Sequence, residues 1–417
     1  MKKVAFLFPG QGAQYVGMSK EMCEKFPVAQ QTFEEASDIL GFNLQKLCFE
    51  GSMEELTKTE NTQPAILTAS VVAFRVFMQE IGELPEYSAG HSLGEISALC
   101  CSGAIDFCDA VRLVRQRGKF MQEAVPLGIG AMAAVGGIAQ NVIEEECRRI
   151  SDSGKVVAVS NYNSKDQIVI SGYAESVNMV GAGLKEKGAR VILLKVSAPF
   201  HSPLMKPAAE KLKEELAKYS YKDSKWPVIS NVTAMPYGEK QNIIDNLTNQ
   251  IVQPVRWQES MEYLHKQGID LAVEMGPKTV LKNLMKKIIP DLKMLSYDVT
   301  TDMEDVKLEF SATKPSTDTG LDVITKCIAI AVCTRNHNWN NDEYQKGVVQ
   351  SYRKIQTLKD ELVKEAAQPT IAQMKEALSL LRTIFITKKS PASEQTERFN
   401  EIFDSTGTRE LFSDLGL

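Results

Sequence analysis

The chain has 417 residues, 43% of them hydrophobic, and a formal net charge of −5. That length exceeds one ordinary domain and allows two or three, each with a core of its own. The small negative charge and the lack of a basic stripe exclude a nucleic-acid binder, and no apolar run reaches the ~18 residues that a membrane span needs. The eight cysteines are scattered with no C-x-x-C pair. They argue against a metal site or a disulfide framework and fit a reducing, cytoplasmic setting.

Val4 to Phe8 reads as a buried strand from its unbroken apolar character, and it is too short to be a signal peptide. It ends in the loop Pro9-Gly10-Gln11-Gly12-Ala13-Gln14. No third small residue completes a dinucleotide fingerprint there. Two helices are expected over 18–40, and Thr62-Gln63-Pro64 starts a long helix to Ile81, with proline in its first turn.

Tyr87-Ser88-Ala89 then leads into Gly90-His91-Ser92-Leu93-Gly94-Glu95 and an apolar-periodic stretch, Ile96 to Cys100. The pattern is strand, sharp turn, helix, and G-x-S-x-G at such a turn is a nucleophile elbow. A Cβ at either glycine would obstruct so tight a turn. Ser92 is thereby held at the positive end of the following helix, where developing negative charge is stabilised. The bland alternative is a chance G-x-S-x-G in a turn.

In the helix expected over Asp106–Ala124, Ala110, Leu113, Val114, Arg117 and Met121 share one face. Arg117 therefore lies in the stripe that faces the core. A buried guanidinium needs an anionic partner. Either an internal carboxylate forms a structural salt bridge with it, or it grips a carboxylate-bearing ligand bidentately.

From Gly128 to about Val196 the order is β-α-β-β-α-β, which is ferredoxin-like. Its strands are expected at 130–135, 156–160, 167–171 and 190–196, and its helices at 141–150 and 174–187. The segment reads as a small subdomain, 128–196, inserted into a larger α/β one formed by 1–127 and 197–299. The last of these strands runs into Phe200-His201-Ser202-Pro203, with Ser202 as N-cap of a helix over 203–218. Further strands are expected at 228–233 and 271–273. Residues 300–320 are polar and poorly periodic and read as a linker. A helical extension, 321–417, follows, with patterns near 321–334, 341–366, 370–386 and 391–403.

A serine nucleophile needs a base, and the chain has four histidines. The side chain of His91 should diverge from its neighbour Ser92, His265 lies in a helical stretch without reactive neighbours, and His337 is in the tail. His201, at a strand-to-helix junction, is the base by elimination. Its alternative is to cap or fill that junction.

These residues also carry a family resemblance. Phe8-Pro9-Gly10-Gln11-Gly12, Thr62-Gln63-Pro64-Ala65, the elbow at 90–95, Gln116-Arg117-Gly118, Phe200-His201-Ser202-Pro203-Leu204-Met205 and Asn231-Val232-Thr233-Ala234 resemble the malonyl-CoA:acyl-carrier-protein transacylase family. Gln250, Pro254-Val255-Arg256-Trp257 and Glu274-Met275-Gly276-Pro277 extend the match, in the family's order, over about residues 1–299. The resemblance implies an α/β-hydrolase-like subdomain with a ferredoxin-like insertion.

It also implies that Ser92 attacks the thioester, that His201 is base and then acid, and that Gln250 orients the imidazole through its carbonyl. Backbone N–H groups of Gln11 and Leu93 would form the oxyanion hole. Arg117 would bind the malonyl carboxylate, with Phe200 and Gln63 also at the substrate. Malonyl-CoA would be substrate, with no bound cofactor and no metal. The partner would be an acyl carrier protein or the carrier domain of a polyketide synthase. Two positions depart from the family: Lys278 stands where a glycine is usual after Gly276-Pro277, and Lys165 where a proline is common. The pathway implied is fatty-acid or polyketide biosynthesis; fatty-acid-pathway members resemble only about the first three hundred residues, so the extension beyond 300 leans the resemblance towards stand-alone acyltransferases of polyketide assembly lines. Two other readings are a hydrolase that clears acyl groups from carriers and, for the tail, a module docking a synthase or carrier rather than a plain helical cap.

Overall fold

In a computed structural model the chain is described except for Met1, Leu127, Lys195, Ser197, Val299, 312–318 and 413–417. It divides into two compact units, one of Met1–Phe74 with Pro85–Val306, the other of Arg75–Leu84 with Lys307–Leu417.

Among the described residues the first unit holds nine strands: β1 Val4–Phe8, β2 Tyr87–Gly90, β3 Gly130–Gly136, β4 Val157–Ser164, β5 Gln167–Tyr173, β6 Arg190–Leu193, β7 Val228–Ile229, β8 Leu271–Glu274 and β9 Lys293–Ser296. Five form a parallel sheet in the order β7-β2-β1-β8-β9. β1 is central and buried along its whole length, as an apolar run covered on both faces must be. The other four form an antiparallel sheet in the order β4-β5-β3-β6. With the helices Gln140–Ser151 and Ala174–Glu186 they make the ferredoxin-like arrangement. Val255, outside the named strands, pairs with β4 through Val255 N to Ser160 O and Tyr162 N to Val255 O.

Several local expectations change. β7 is two residues long rather than a strand to Thr233, because Ser230–Ala234 turns back to bring Asn231 beneath the elbow. β6 ends at Leu193, and Lys195 and Ser197, at the expected strand end and junction, lie outside the described residues. Ser202 does not cap a helix. Its hydroxyl donates to Pro199 O, a 3-10 turn follows at Pro203–Met205, and the α-helix runs Lys206–Leu216. Residues 300–320 are not a plain linker, since Thr300–Ser311 is helical. Its polarity hid it: Asp302 accepts Ser296 N and pairs with Lys282, anchoring the helix start through charge rather than through an apolar stripe. Residues 312–318 lie outside the described part.

The second unit is helical: Thr319–Cys333, Asn341–Tyr344 continuing through a π turn into Gln350–Glu365, Ile371–Lys388 and Ala392–Thr406. It has its own core, including Ile324, Ile328, Ile355, Leu381, Phe385, Phe399 and Ile402. Thr370 and Gln373 form a capping box at the start of Ile371–Lys388. At its end the buried Lys388 ammonium donates to Ala331 O and Thr334 O. It thus satisfies carbonyls left free where Thr319–Cys333 stops. Among the described residues no helix is long and apolar enough to cross a membrane.

The elbow sets the tightest packing in the first unit. A Cβ at Gly94 would stand 2.0 Å from Phe8 O, and one at Gly90 1.9 Å from the Gly94 carbonyl. Neither neighbour is a flexible side chain. Gly94→Ala should therefore cost at least ~3 kcal/mol. Gly188→Ala, at φ +92° with nothing within 4 Å, should cost only about 1–2 kcal/mol. Urea titrations followed by circular dichroism compare the two.

Candidate active site

Ser92 sits between β2 and the helix Leu93–Cys101 with φ 53° and ψ −105°, a backbone conformation that costs about 1–3 kcal/mol and persists only where neighbours enforce it. Asn231 is the enforcer. Its side chain accepts from Ser92 N at 2.7 Å and donates to Gly90 O at 2.7 Å, clamping both sides of the turn. The hydroxyl this exposes meets His201 Nε2 at 2.7 Å, across 109 positions of sequence. His201 also has a left-handed backbone, φ 55°. Its Nδ1 lies 2.7 Å from the backbone carbonyl of Gln250, which leaves Nε2 as the acceptor facing the serine. Serine, imidazole and carbonyl are thus in the geometry that a nucleophile, a base and an orienting acceptor require, with a backbone oxygen where a triad has a carboxylate.

The Gln250 side chain has separate work. Its Oε1 accepts from Arg117 Nη2 at 2.8 Å, and its Nε2 donates to Ser92 O at 3.0 Å and Glu95 Oε2 at 2.7 Å. Arg117 is 1% exposed. Nη1 donates to Gln63 Oε1 at 2.9 Å and Nη2 also reaches Ser92 Oγ at 3.2 Å, while Nε has no partner among the described residues. Nor, among them, does any carboxylate touch the guanidinium. The structural salt bridge weighed from sequence is absent, and Glu95 acts on it only across the Gln250 amide.

A cavity of about 450 Å³ opens onto Ser92 and His201, and Gln11, Leu93, Arg117 and Phe200 line it. Leu93 begins the helix after the elbow, so its N–H is one of those a helix start leaves unbonded. Met121, Met132, Val169, Leu194 and Leu284 give the cavity apolar walls, and Lys287 is at its lining too. Gln63 lies behind Arg117 and does not line the cavity.

His91 turns away from Ser92 to Asn163 Oδ1 at 2.8 Å and packs by Trp257. Lys278 adopts φ 64°, which accounts for the family's glycine at this position. Here the strained lysine is held by its N–H on Asp298 and its ammonium on Gly12 O.

Burial and the neighbouring Arg117 charge push His201 down to about 3, against the opposing bond to Gln250. Burial alone lowers Arg117, to about 10, with Glu95 acting the other way. Burial lifts Glu95 to about 7, although Tyr237, Gln250 and Asn231 all donate to it.

This geometry has counterparts among known proteins. Residues 5–318 match the family profile of the acyl transferase domain. The chain belongs to the acyl transferase domain family. A malonyl CoA-acyl carrier protein transacylase of Bacillus subtilis is 40% identical over 395 residues, 95% of this chain and 99% of that protein. The protein of the same description from Escherichia coli K12 is 49% identical over 293 residues, 70% of this chain and 94% of its own.

Among solved structures, the malonyl CoA-acyl carrier protein transacylase of Coxiella burnetii superposes with a TM-score of 0.73 at 42% identity, covering 74% of this acyltransferase and 98% of that chain. A malonyl-transacylase in complex with a type II polyketide-synthase acyl carrier protein gives a TM-score of 0.72 at 42% identity, covering 74% and 99%. The 395-residue alignment necessarily enters the helical extension, so the extension is shared with a relative and does not by itself separate this acyltransferase from others.

Sequence reasoning did not assign Asn231 or Glu95 a role. Both stand inside the quoted motifs, and the signal was their type: a polar side chain that must sit beside a buried turn needs a partner there.

Because His201 is neutral down to about pH 3, the base is competent throughout the neutral range. Inactivation of Ser92 by a sulfonyl fluoride should be flat from pH 5 to 8, with no inflection near 6.5. Arg117→Ala removes one of the two main causes of the depression, so its acid limb should move to higher pH. Stopped-time labelling across a pH series reads both.

Proposed function

We propose that this acyltransferase moves malonyl from malonyl-CoA to the phosphopantetheine thiol of an acyl carrier protein through an ester on Ser92. The observation that carries the reading is Arg117, a buried guanidinium 3.2 Å from the Ser92 hydroxyl with no carboxylate in contact among the described residues. A malonyl group places a carboxylate two carbons from the thioester carbonyl, and so offers that cation its missing partner as Ser92 meets the carbonyl.

His201 Nε2 takes the Ser92 proton as Oγ attacks the thioester carbonyl, and the oxyanion is received by the N–H groups of Gln11 and Leu93. A donor of this kind is worth ~3 kcal/mol in the transition state. Collapse breaks the C–S bond, and His201 returns the proton to the departing CoA thiolate. The carrier thiol then gives its proton to His201 and attacks the ester, and Ser92 leaves with that proton. Phe200 bounds the acyl pocket. No bound cofactor enters either half.

Arg117 also couples recognition to chemistry. Its charge lowers the basicity of His201, and a bound carboxylate neutralises that charge, so the imidazole becomes a better base once a dicarboxylate half-ester is seated. The cysteines are scattered with no C-x-x-C pair, which suits a reducing aqueous compartment, and we infer that the reaction takes place in the cytoplasm.

Intact-protein mass spectrometry after mixing with malonyl-CoA should show one malonyl group on the wild type and none on Ser92→Ala. Arg117→Ala should lose malonyl loading by a hundredfold or more relative to acetyl, since removing one partner of a buried pair costs ~3–5 kcal/mol. Rapid CoA release without a carrier, unaffected by Arg117→Ala, would instead indicate a hydrolase. A second expectation follows from the coupling: the acid limb of acylation should lie at higher pH with malonyl-CoA than with acetyl-CoA, read from single-turnover rates.

A further inference from the structure

Glu95 is fully buried, three positions after the nucleophile, and does not line the catalytic cavity. Its two oxygens are nonetheless fully engaged. One accepts from the Tyr237 hydroxyl, and the other from Asn231 N at 3.0 Å and Gln250 Nε2 at 2.7 Å. On the far side of the same amide, Gln250 Oε1 accepts from Arg117 Nη2 at 2.8 Å. The order is carboxylate, amide, guanidinium.

Each end of that chain fixes the amide between them. A guanidinium only donates, and Glu95 accepts from every one of its partners, Tyr237, Asn231 and Gln250. The Gln250 amide can therefore stand one way, with oxygen towards Arg117 and nitrogen towards Glu95. Were residue 95 a neutral amide, it could offer its own NH2 to Gln250, and the 3.0 Å bond to Ser92 O would then be left to hold the Gln250 NH2 away from the guanidinium, donor against donor. The spacing matters as well. A carboxylate in direct contact with Arg117 would compete with any incoming anion for the planar fork. A carboxylate one amide away offsets the buried charge and leaves the fork open.

We propose that Glu95 is the positioning residue of the carboxylate pocket, holding the Gln250 amide so that Arg117 is both charge-compensated and uncommitted until a dicarboxylate acyl group arrives. The inference rests on the malonyl reading of Arg117 and extends it to a residue that touches neither substrate nor nucleophile side chain. The buried groups facing Glu95 are Tyr237, Asn231, Gln250 and, across the amide, Arg117. Discrimination between acyl groups is set by all of them together.

The test is a competition. Wild type and Glu95→Gln are mixed with equal malonyl-CoA and acetyl-CoA, and initial loading of each acyl group is read by intact-protein mass spectrometry. The malonyl-over-acetyl preference should fall at least tenfold in Glu95→Gln, with acetyl loading within about threefold of wild type. A folded Glu95→Gln protein with the wild-type preference, or one that loses both acyl groups by the same factor, would overturn the proposal, because a merely structural role lowers both alike. Tyr237→Phe removes one donor to Glu95 and leaves the carboxylate in place. It should lower the preference about threefold in the same direction, and if Glu95→Gln does not fold, an unchanged preference in Tyr237→Phe overturns the proposal. Equal loading of the two acyl groups by wild type would instead overturn the malonyl reading itself, and the inference with it.

Discussion

A cation buried beside a nucleophile, satisfied among the described residues by neutral oxygens, is the constraint on which the rest of this site depends. Removing a guanidinium from water costs several kcal/mol after relaxation, and here Gln63, Gln250 and the Ser92 hydroxyl offset part of it. The remainder is held by the surrounding fold. The same charge restrains the base: Arg117 helps keep His201 neutral and weakly basic in the empty site. On the proposed malonyl reading, one residue ties recognition of a carboxylate to readiness for attack.

The main sheet makes this possible by geometry. In an open parallel sheet the loops at the carboxyl ends of neighbouring strands converge. β1 delivers Gln11, β2 delivers Ser92, and β7 delivers Asn231, all at those ends. Helices supply the others: Arg117 from Phe107–Glu123 and Gln250 from the last position of Asn242–Gln250. The inserted antiparallel sheet closes the cavity from the opposite side, with Met132 and Val169 facing it while Ala133 and Ile170, one step along each strand, belong to its own core.

Much of this was legible in the sequence because the strongest signals were steric or periodic. The elbow could be read since only glycine fits at Gly90 and Gly94, and the insertion since its elements alternate in period. Arg117 stood out as a charge on an apolar face. What escaped were residues whose role is a hydrogen bond made only after folding. Asn231 and Glu95 are polar side chains in short motifs, and nothing in their spacing reveals that one clamps a turn and the other orients an amide. β9 gives no signal because Lys293-Met294-Leu295-Ser296 offers only two consecutive apolar residues, and Thr300–Ser311 reads as a linker because an ion pair, not an apolar stripe, anchors its start.

Gln250 shows most clearly why a motif cannot be translated directly into a role. Its backbone carbonyl orients His201, its side-chain oxygen holds Arg117, and its side-chain nitrogen braces the elbow and Glu95. The first of these would survive replacement by almost any residue, since every residue has a carbonyl. Only the second and third require an amide. What glutamine supplies here that another residue would not is therefore its contact with Arg117, Ser92 and Glu95 and not its contact with the imidazole, although the imidazole is the nearer partner of the nucleophile. A neutral, two-faced side chain is what allows a guanidinium and a carboxylate to share one dry site without pairing with each other.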